Sequence, residues 1–254
     1  RHDIDTWGEL QFNVGLWVGR KTTPNYLSKD SDPYGSAEAT LNAWRRSTNP
    51  DYRPKEHNPV QLLNCPWCGN DLGNRDYSVD VDAKYYLPKK CRVFCPNQHC
   101  FFHKSHMKIK QKGKETTETC IPILVVDEDI YKWCPSLLIS TIDKFAQISW
   151  RENISSLFGK TDAYCSKCGF YNSITTPHAK HRDSEWDSFE FAEYGVKMNT
   201  PELIVQDELH LISGPMGTLT ALYETAINYF CKRSDGIYPK IISSTATTRA
   251  ASEQ

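Results

Sequence analysis

The 254-residue sequence lacks any run near the roughly 18 apolar residues that cross a bilayer. Its first ten residues, RHDIDTWGEL, lack the apolar stretch of a signal peptide. Together these absences exclude a helical membrane span and lead us to expect a cytoplasmic protein with no membrane partner. Charge imbalance is missing too: 30 Lys and Arg against 31 Asp and Glu leave a formal charge of -1. Bulk charge therefore predicts neither nucleic-acid nor membrane binding, and any such surface has to be local. Internal repeats and low-complexity tracts are also absent, so the fold has to come from ordinary strand and helix patterning. An initial Met is lacking, and the chain stops at ASEQ just after a strand-like run, which points to a piece of something longer.

Hydrophobic residues, by contrast, are plentiful: 39% of the chain, with seven Trp, thirteen Tyr and ten Phe, is enough for real cores. Residues 11–18, QFNVGLWV, have the alternating, aromatic-rich look of a strand, and 36–46 make a short helix with Ser36 as its cap. ILVVDEDIY reads as an apolar strand, and SLLISTIDKFAQISW as a strand ending at Ser140-Thr141 followed by a helix. The tail returns to alternation, with a strand at Leu203–Gln206, a helix over 218–230 and a strand at IISS. Strands alternating with helices imply parallel pairing in a three-layer α/β sheet. Residues 61–120 and 151–200 break this pattern, being rich in Cys, His, Lys and turn residues with a thin hydrophobic payload.

Ten cysteines fall largely in short paired spacings rather than in the scattered pattern of a disulfide scaffold, and zinc is the economical reading. Cys65-Pro-Trp-Cys68-Gly69 is a knuckle, with Gly where the backbone turns under the metal. After a 26-residue gap, Cys95-Pro-Asn-Gln-His-Cys100 supplies a second pair, so four sulfurs can close a tetrahedral site. Reduced buried thiols are the bland alternative. His99 and His103 are possible substitutes, as is Cys91, best read as a bystander. A second set is Cys165 and Cys168 with His178 and His181, against which stands the commoner fate of a histidine at the surface. Both sites would be closed and hence structural, giving one or two Zn2+. Cys120, Cys134 and Cys231 sit in apolar settings and read as core.

The stretch LIVQDELHLISG drives a strand straight into Asp207-Glu208, two adjacent carboxylates that repel each other unless a cation sits there. Solvated acids at a strand end are the bland reading. In nucleotide-hydrolysing motors, a strand-end Asp holds the Mg2+ and the neighbouring acid activates the attacking water, and Asp207 and Glu208 fit those roles. One helix later a strand ends in Ser243-Ser244-Thr245-Ala246-Thr247.

QDELH followed by SSTAT resembles motifs II and III of a superfamily 2 helicase of the DExH-box type, and LLISTIDKF is similar to the preceding segment that touches the nucleic-acid backbone. VVDEDIY, STIDKFA, PELIVQDELHLISGPMGTLTALYE and STATTRA, with CPWCG and CPNQHC embedded, further resemble the large helicase-like subunit of DISARM antiphage systems. The resemblance implies Asp207 on Mg2+, Glu208 as base, His210 coupling the nucleotide site to the motor, and Ser243, Ser244, Thr245 and Thr247 relaying that state. Thr141 and Lys144 would contact a phosphate backbone. ATP and Mg2+ would be the intact protein's cofactors, with DNA and other subunits of the defence complex as partners.

A phosphate-cradling loop is missing. Phe158-Gly159-Lys160-Thr161 imitates one, but the earlier Gly is replaced by Ile154 and the motif order is wrong. The fold expected is therefore a partial RecA-like (P-loop NTPase) parallel sheet flanked by helices, with two inserted zinc-ribbon-like subdomains. Its parts would be a RecA-like strand with linker and helix (1–60), a zinc-ribbon insertion (61–120), RecA-like core (121–150), a second Cys/His insertion (151–200) and core carrying both motifs (201–254). Arg45, Arg46, Lys89, Lys90, Arg92 and the lysines from 104 to 114 could extend a DNA path, or simply form solvated faces. Two other functions compete: a non-catalytic zinc-ribbon adaptor for nucleic acid or protein, and a metal-dependent nuclease, for which no third carboxylate stands at a telling spacing.

Overall fold

The computed structural model describes residues 12–79, 89–109, 116–117, 119–145, 152–165, 169–171, 192–194, 198–207, 217–233 and 235–244. Strand β1 (Val14–Trp17) is central in a parallel three-stranded sheet, flanked by β6 (Ile123–Leu124) and β7 (Leu137–Ser140). Val14 lies opposite both Ile123 and Leu137. Gly15 is required by packing, since a Cβ there would stand 2.6 Å from Pro135 Cγ. A second parallel pair, β11 (Leu203–Gln206) and β12 (Lys240–Ser243), is joined by helix α4 (Gly217–Cys231). The strands and the connecting helix of the tail thus form as their patterning predicts.

The long crossover from β1 to β6 carries α1 (Ala37–Arg46) and two small hairpins, β2 (Tyr77–Ser78) with β3 (Arg92–Val93) and β4 (Lys108–Ile109) with β5 (Thr116–Thr117). α1 begins where expected: the Ser36 hydroxyl accepts from the Ala39 amide, Glu38 lies in the first turn, and Arg45 and Arg46 lie in the last, matching the helix dipole.

ILVVDEDIY does not remain a strand. β6 stops at Leu124 and α2 (Asp127–Trp133) begins three residues later. Three acids in the first turn favour a helix N-terminus there. Cys134, in the left-handed region at φ 42°, ends the helix just before Pro135. After β7 comes a short helix, α3 (Ile142–Phe145), and then a 3-10 turn over Glu152–Phe158. Gly159 closes that turn at φ +69°, and a Cβ there would stand 2.7 Å from the Met198 carbonyl oxygen. This backbone approach explains the glycine of the imitation phosphate loop without any nucleotide. Strands β8 (Ala163–Cys165), β9 (Gly169–Tyr171) and β10 (Ala192–Tyr194) form an antiparallel sheet in the order β10-β8-β9.

Two cores result. One unites Trp17, Leu124, Ile130, Tyr131, Ile154, Phe158 and Cys231 with Leu138, Ile204 and Phe230 at its edge, so both parallel units face it. The other runs from Leu27 and Leu41 through Val125 to Tyr77, Val93 and the cysteines Cys65, Cys91, Cys95 and Cys100. That second core shows how the thin hydrophobic payload of residues 61–120 is used: apolar residues too few to pack alone pack against α1 and β6. Cys120, Cys134 and Cys231 are buried, as expected, and Cys91 is buried as well. The outer face of the parallel strands is different. Leu137, Ile139, Leu203 and Val205 are each more than half exposed. Among the described residues, no helix is long and apolar enough to cross a membrane.

Candidate metal centre and strand-end rim

The first knuckle is set by backbone. Gly69 N–H donates to the Cys65 carbonyl at 2.9 Å, Cys65 N–H donates to the Asn70 carbonyl at 2.8 Å, and Gly69 takes φ +75°, which L side chains rarely adopt. In the second, Cys100 N–H donates to Asn97 and Cys95 N–H to Phe102, each at 2.9 Å. Cys65 Sγ then lies 3.7 Å from Cys100 Sγ, and Cys68 Sγ 3.5 Å from Cys95 Sγ, with all four sulfurs within 4.8 Å of one another. Tetrahedral Zn2+ with bonds of about 2.3 Å requires sulfurs about 3.8 Å apart. The cage fits zinc.

Cys91, His99 and His103 stay outside this group. Cys91 instead presents its amide to Asp129 Oδ2 at 2.9 Å, and His103 Nδ1 pairs with the Ser105 hydroxyl at 2.7 Å. The Asn70 amide draws the Cys68 thiol down to about 7, whereas burial pushes Cys95 up to about 12 and Cys100 upward. Four thiols in one cage cannot all ionise without a counter-charge, and a divalent cation supplies it by binding thiolates. Of the second cluster, Cys165 ends β8, while Cys168, His178 and His181 lie outside the described residues.

In the tail, β11 and β12 align in parallel, with Gln206 opposite Ser243. Asp207, exposed, follows directly on the carboxyl end of β11. Gln206 locks this corner. Its amide donates to Glu224 on α4 at 2.6 Å, and its carbonyl oxygens accept from the Ser243 hydroxyl at 2.8 Å and the Ser244 amide at 2.8 Å. The structure therefore brings Asp207 beside Ser243 and Ser244 at one strand-end rim. Glu208, His210, Thr245 and Thr247 lie outside the described residues.

Thr141 is exposed at the end of β7 and donates its amide to the Trp17 carbonyl at 3.3 Å. Lys144 departs from expectation. It is fully buried, with Nζ 2.6 Å from Asp127 Oδ2 and 3.4 Å from Asn25 Oδ1. Tyr131 donates to the same carboxylate at 3.3 Å and accepts from Trp17 Nε1 at 3.0 Å. The ammonium is turned inward, and the phosphate contact expected of it gives way to tying α2, α3 and β1 together. Sequence reading missed this because the partner acid lies 17 positions upstream; the only signal was the DED triplet opening a helix.

Much of the suspected basic path is also engaged within the chain, although Arg45 is exposed and Lys89 half-buried. Arg45 donates to the carbonyls of Asn74 (2.9 Å) and Tyr77, Lys89 pairs with Glu38 at 3.2 Å, and Lys90 and Arg92 are buried. Arg46 and Lys104 remain exposed.

No protein-family model matches the chain. Over its whole length, across 259 aligned positions, it is 33% identical to the DISARM protein DrmA of Bacillus paralicheniformis. The chain spans 20% of DrmA's length, and the similarity holds within that span.

Proposed function

We propose that the chain is part of an ATP-driven DNA translocase or helicase motor acting in DISARM antiphage defence, with the other subunits of that system as partners. The observation that carries this reading is the alignment of Asp207 with Ser243 and Ser244 at the carboxyl ends of two parallel strands. Ligands of α/β sheets bind at that rim. Asp207 would hold Mg2+ against the outer phosphates of ATP, and Glu208 would orient and deprotonate water. His210, Thr245 and Thr247 would pass the nucleotide state onward through the Ser243 corner, and Thr141 would meet a DNA phosphate. Similarity to DrmA supports the defence setting.

The apolar outer face of the strands, with Leu137, Ile139, Leu203 and Val205 each more than half exposed, supports a RecA-like sheet, because parallel sheets are built to be covered on both sides. We read residues 61–120 as a zinc-ribbon insertion, 151–200 as a second one using Cys165, Cys168, His178 and His181, and the remainder as motor. A cytoplasmic setting follows from the same reading. The decisive test is Glu208→Gln in the full-length protein: hydrolysis falls by several orders of magnitude while ATP binding persists. Turnover near the wild-type rate sinks the assignment. A non-catalytic zinc-ribbon adaptor is favoured by one feature, the closed four-sulfur cage that leaves no open metal position. It requires DNA binding indifferent to ATP and to Asp207→Ala.

A further inference from the structure

The four-cysteine knuckle holds three aromatic rings at its tip that no core uses fully. Trp67 and Phe101 are 69% and 56% exposed, in a region where Leu72, Tyr77 and Val93 are buried. Their ring centroids lie 6.0 Å apart, and Phe102, half-buried against the core, stands edge-on behind both, at 6.1 Å from Trp67 and 5.3 Å from Phe101. Trp67 lies between two cage cysteines and Phe101 directly after a third, so metal binding would fix their backbone. Exposing large rings forfeits hydrophobic stabilisation, and a preorganised aromatic face is what planar ligands stack on.

The charge beside the rings narrows the ligand. Phe101 and Phe102 lead into a 3-10 turn, Lys104–His106, whose Lys104 and His106 are exposed, with His106 Nδ1 3.4 Å from the Phe101 carbonyl oxygen. From His99 to Lys114 the sequence carries five lysines, three histidines and no acid. Flat rings beside the exposed Lys104, in a stretch of sequence without an acid, fit unpaired nucleobases and their phosphates better than an apolar protein patch, which needs no cations.

We propose that this tip is a stacking site for single-stranded nucleic acid, with Trp67 and Phe101 as the platform and Lys104 as the phosphate contact. It deepens the motor reading by naming where an unpaired strand is held. Because it is measured without ATP, its failure is distinct from that of the Glu208 assignment.

The test is anisotropy of labelled oligo-dT and oligo-U, about 12 nucleotides long, with zinc-loaded protein. Trp67→Ala and Phe101→Ala each weaken binding about tenfold, Trp67→Phe retains most of it, and Lys104→Ala lowers the salt slope by about one. Ring-dependent binding of either oligomer supports the site, and its preference between the two separates DNA from RNA. Unchanged affinity in the Trp67→Ala and Phe101→Ala variants, with zinc content and circular dichroism intact, overturns it. So does loss of a partner subunit from those variants while oligomer affinity stays the same, since the face is then a protein interface.

Discussion

The knuckle and the strand-end rim solve the same problem, holding polar groups in a fixed place, by opposite means. Around Cys65, Cys68, Cys95 and Cys100 a few backbone hydrogen bonds and one glycine suffice, because a cation would supply the binding energy. Around Asp207 the chain is placed by packing and pairing. Position there depends on β11 pairing with β12, on Gln206 bridging Glu224 and Ser243, and on Ile204 and Phe230 sharing one core. A metal-organised region can therefore be dismantled at one atom, while a packed one yields in smaller steps.

Breaking the knuckle is expected to have the largest effect. Cys68→Ser removes one zinc per chain and unfolds the hairpins around the cage, since metal binding there is folding free energy on the order of 10 kcal/mol. Metal analysis with amide exchange at Val93 would read this, and retention of both metal and protection contradicts it. Next comes the packed side. Lys144→Met leaves Asp127 charged and buried without its ammonium, destabilising the protein by about 3–5 kcal/mol in urea titrations. Adding Asp127→Leu should recover much of that loss. If Lys144→Met instead leaves stability intact and weakens DNA binding, Lys144 returns to the phosphate role.

A smaller, pH-dependent effect sharpens the seam between the two regions. Asp129 on α2 receives the Cys91 amide of the cysteine-rich segment, and burial pushes its carboxyl up to about 7. A raised acid keeps its proton in the folded state while the unfolded chain loses it, so stability falls as pH climbs from about 4 through 7. Asp129→Asn keeps an acceptor for Cys91 and should abolish that slope, exceeding the wild type by on the order of 1–3 kcal/mol at pH 8 and by nothing at pH 4. Thermal midpoints at the two pH values decide. Smallest is Ser36→Ala, which removes the cap of α1 at a cost of about 1 kcal/mol without altering metal content.

How far such features can be read in advance depends on how locally they are encoded. The cage was legible as two short spacings, and α1 as a cap followed by helical patterning. β11, α4 and β12 were legible as alternation. Lys144 was not, because a lysine in STIDKF looks the same whether it faces water or an aspartate brought in by another helix. The helix at Asp127–Trp133 was hidden inside an apolar run until its acids found a dipole and partners. The cysteine-rich segment's share in a core depended on α1 and β6 arriving from elsewhere.

The amino-acid order alone determined the thiol pairs, the strand that runs into Asp207 and the aromatic residues beside the cysteines, because each is a matter of neighbours within a few bonds. Tertiary structure alone decided which basic groups point inward, which glycines allow two backbones to meet, and that Asp207 stands beside Ser243 and Ser244. Those outcomes rest on contacts between segments tens of residues apart, formed only when apolar burial brings the segments together.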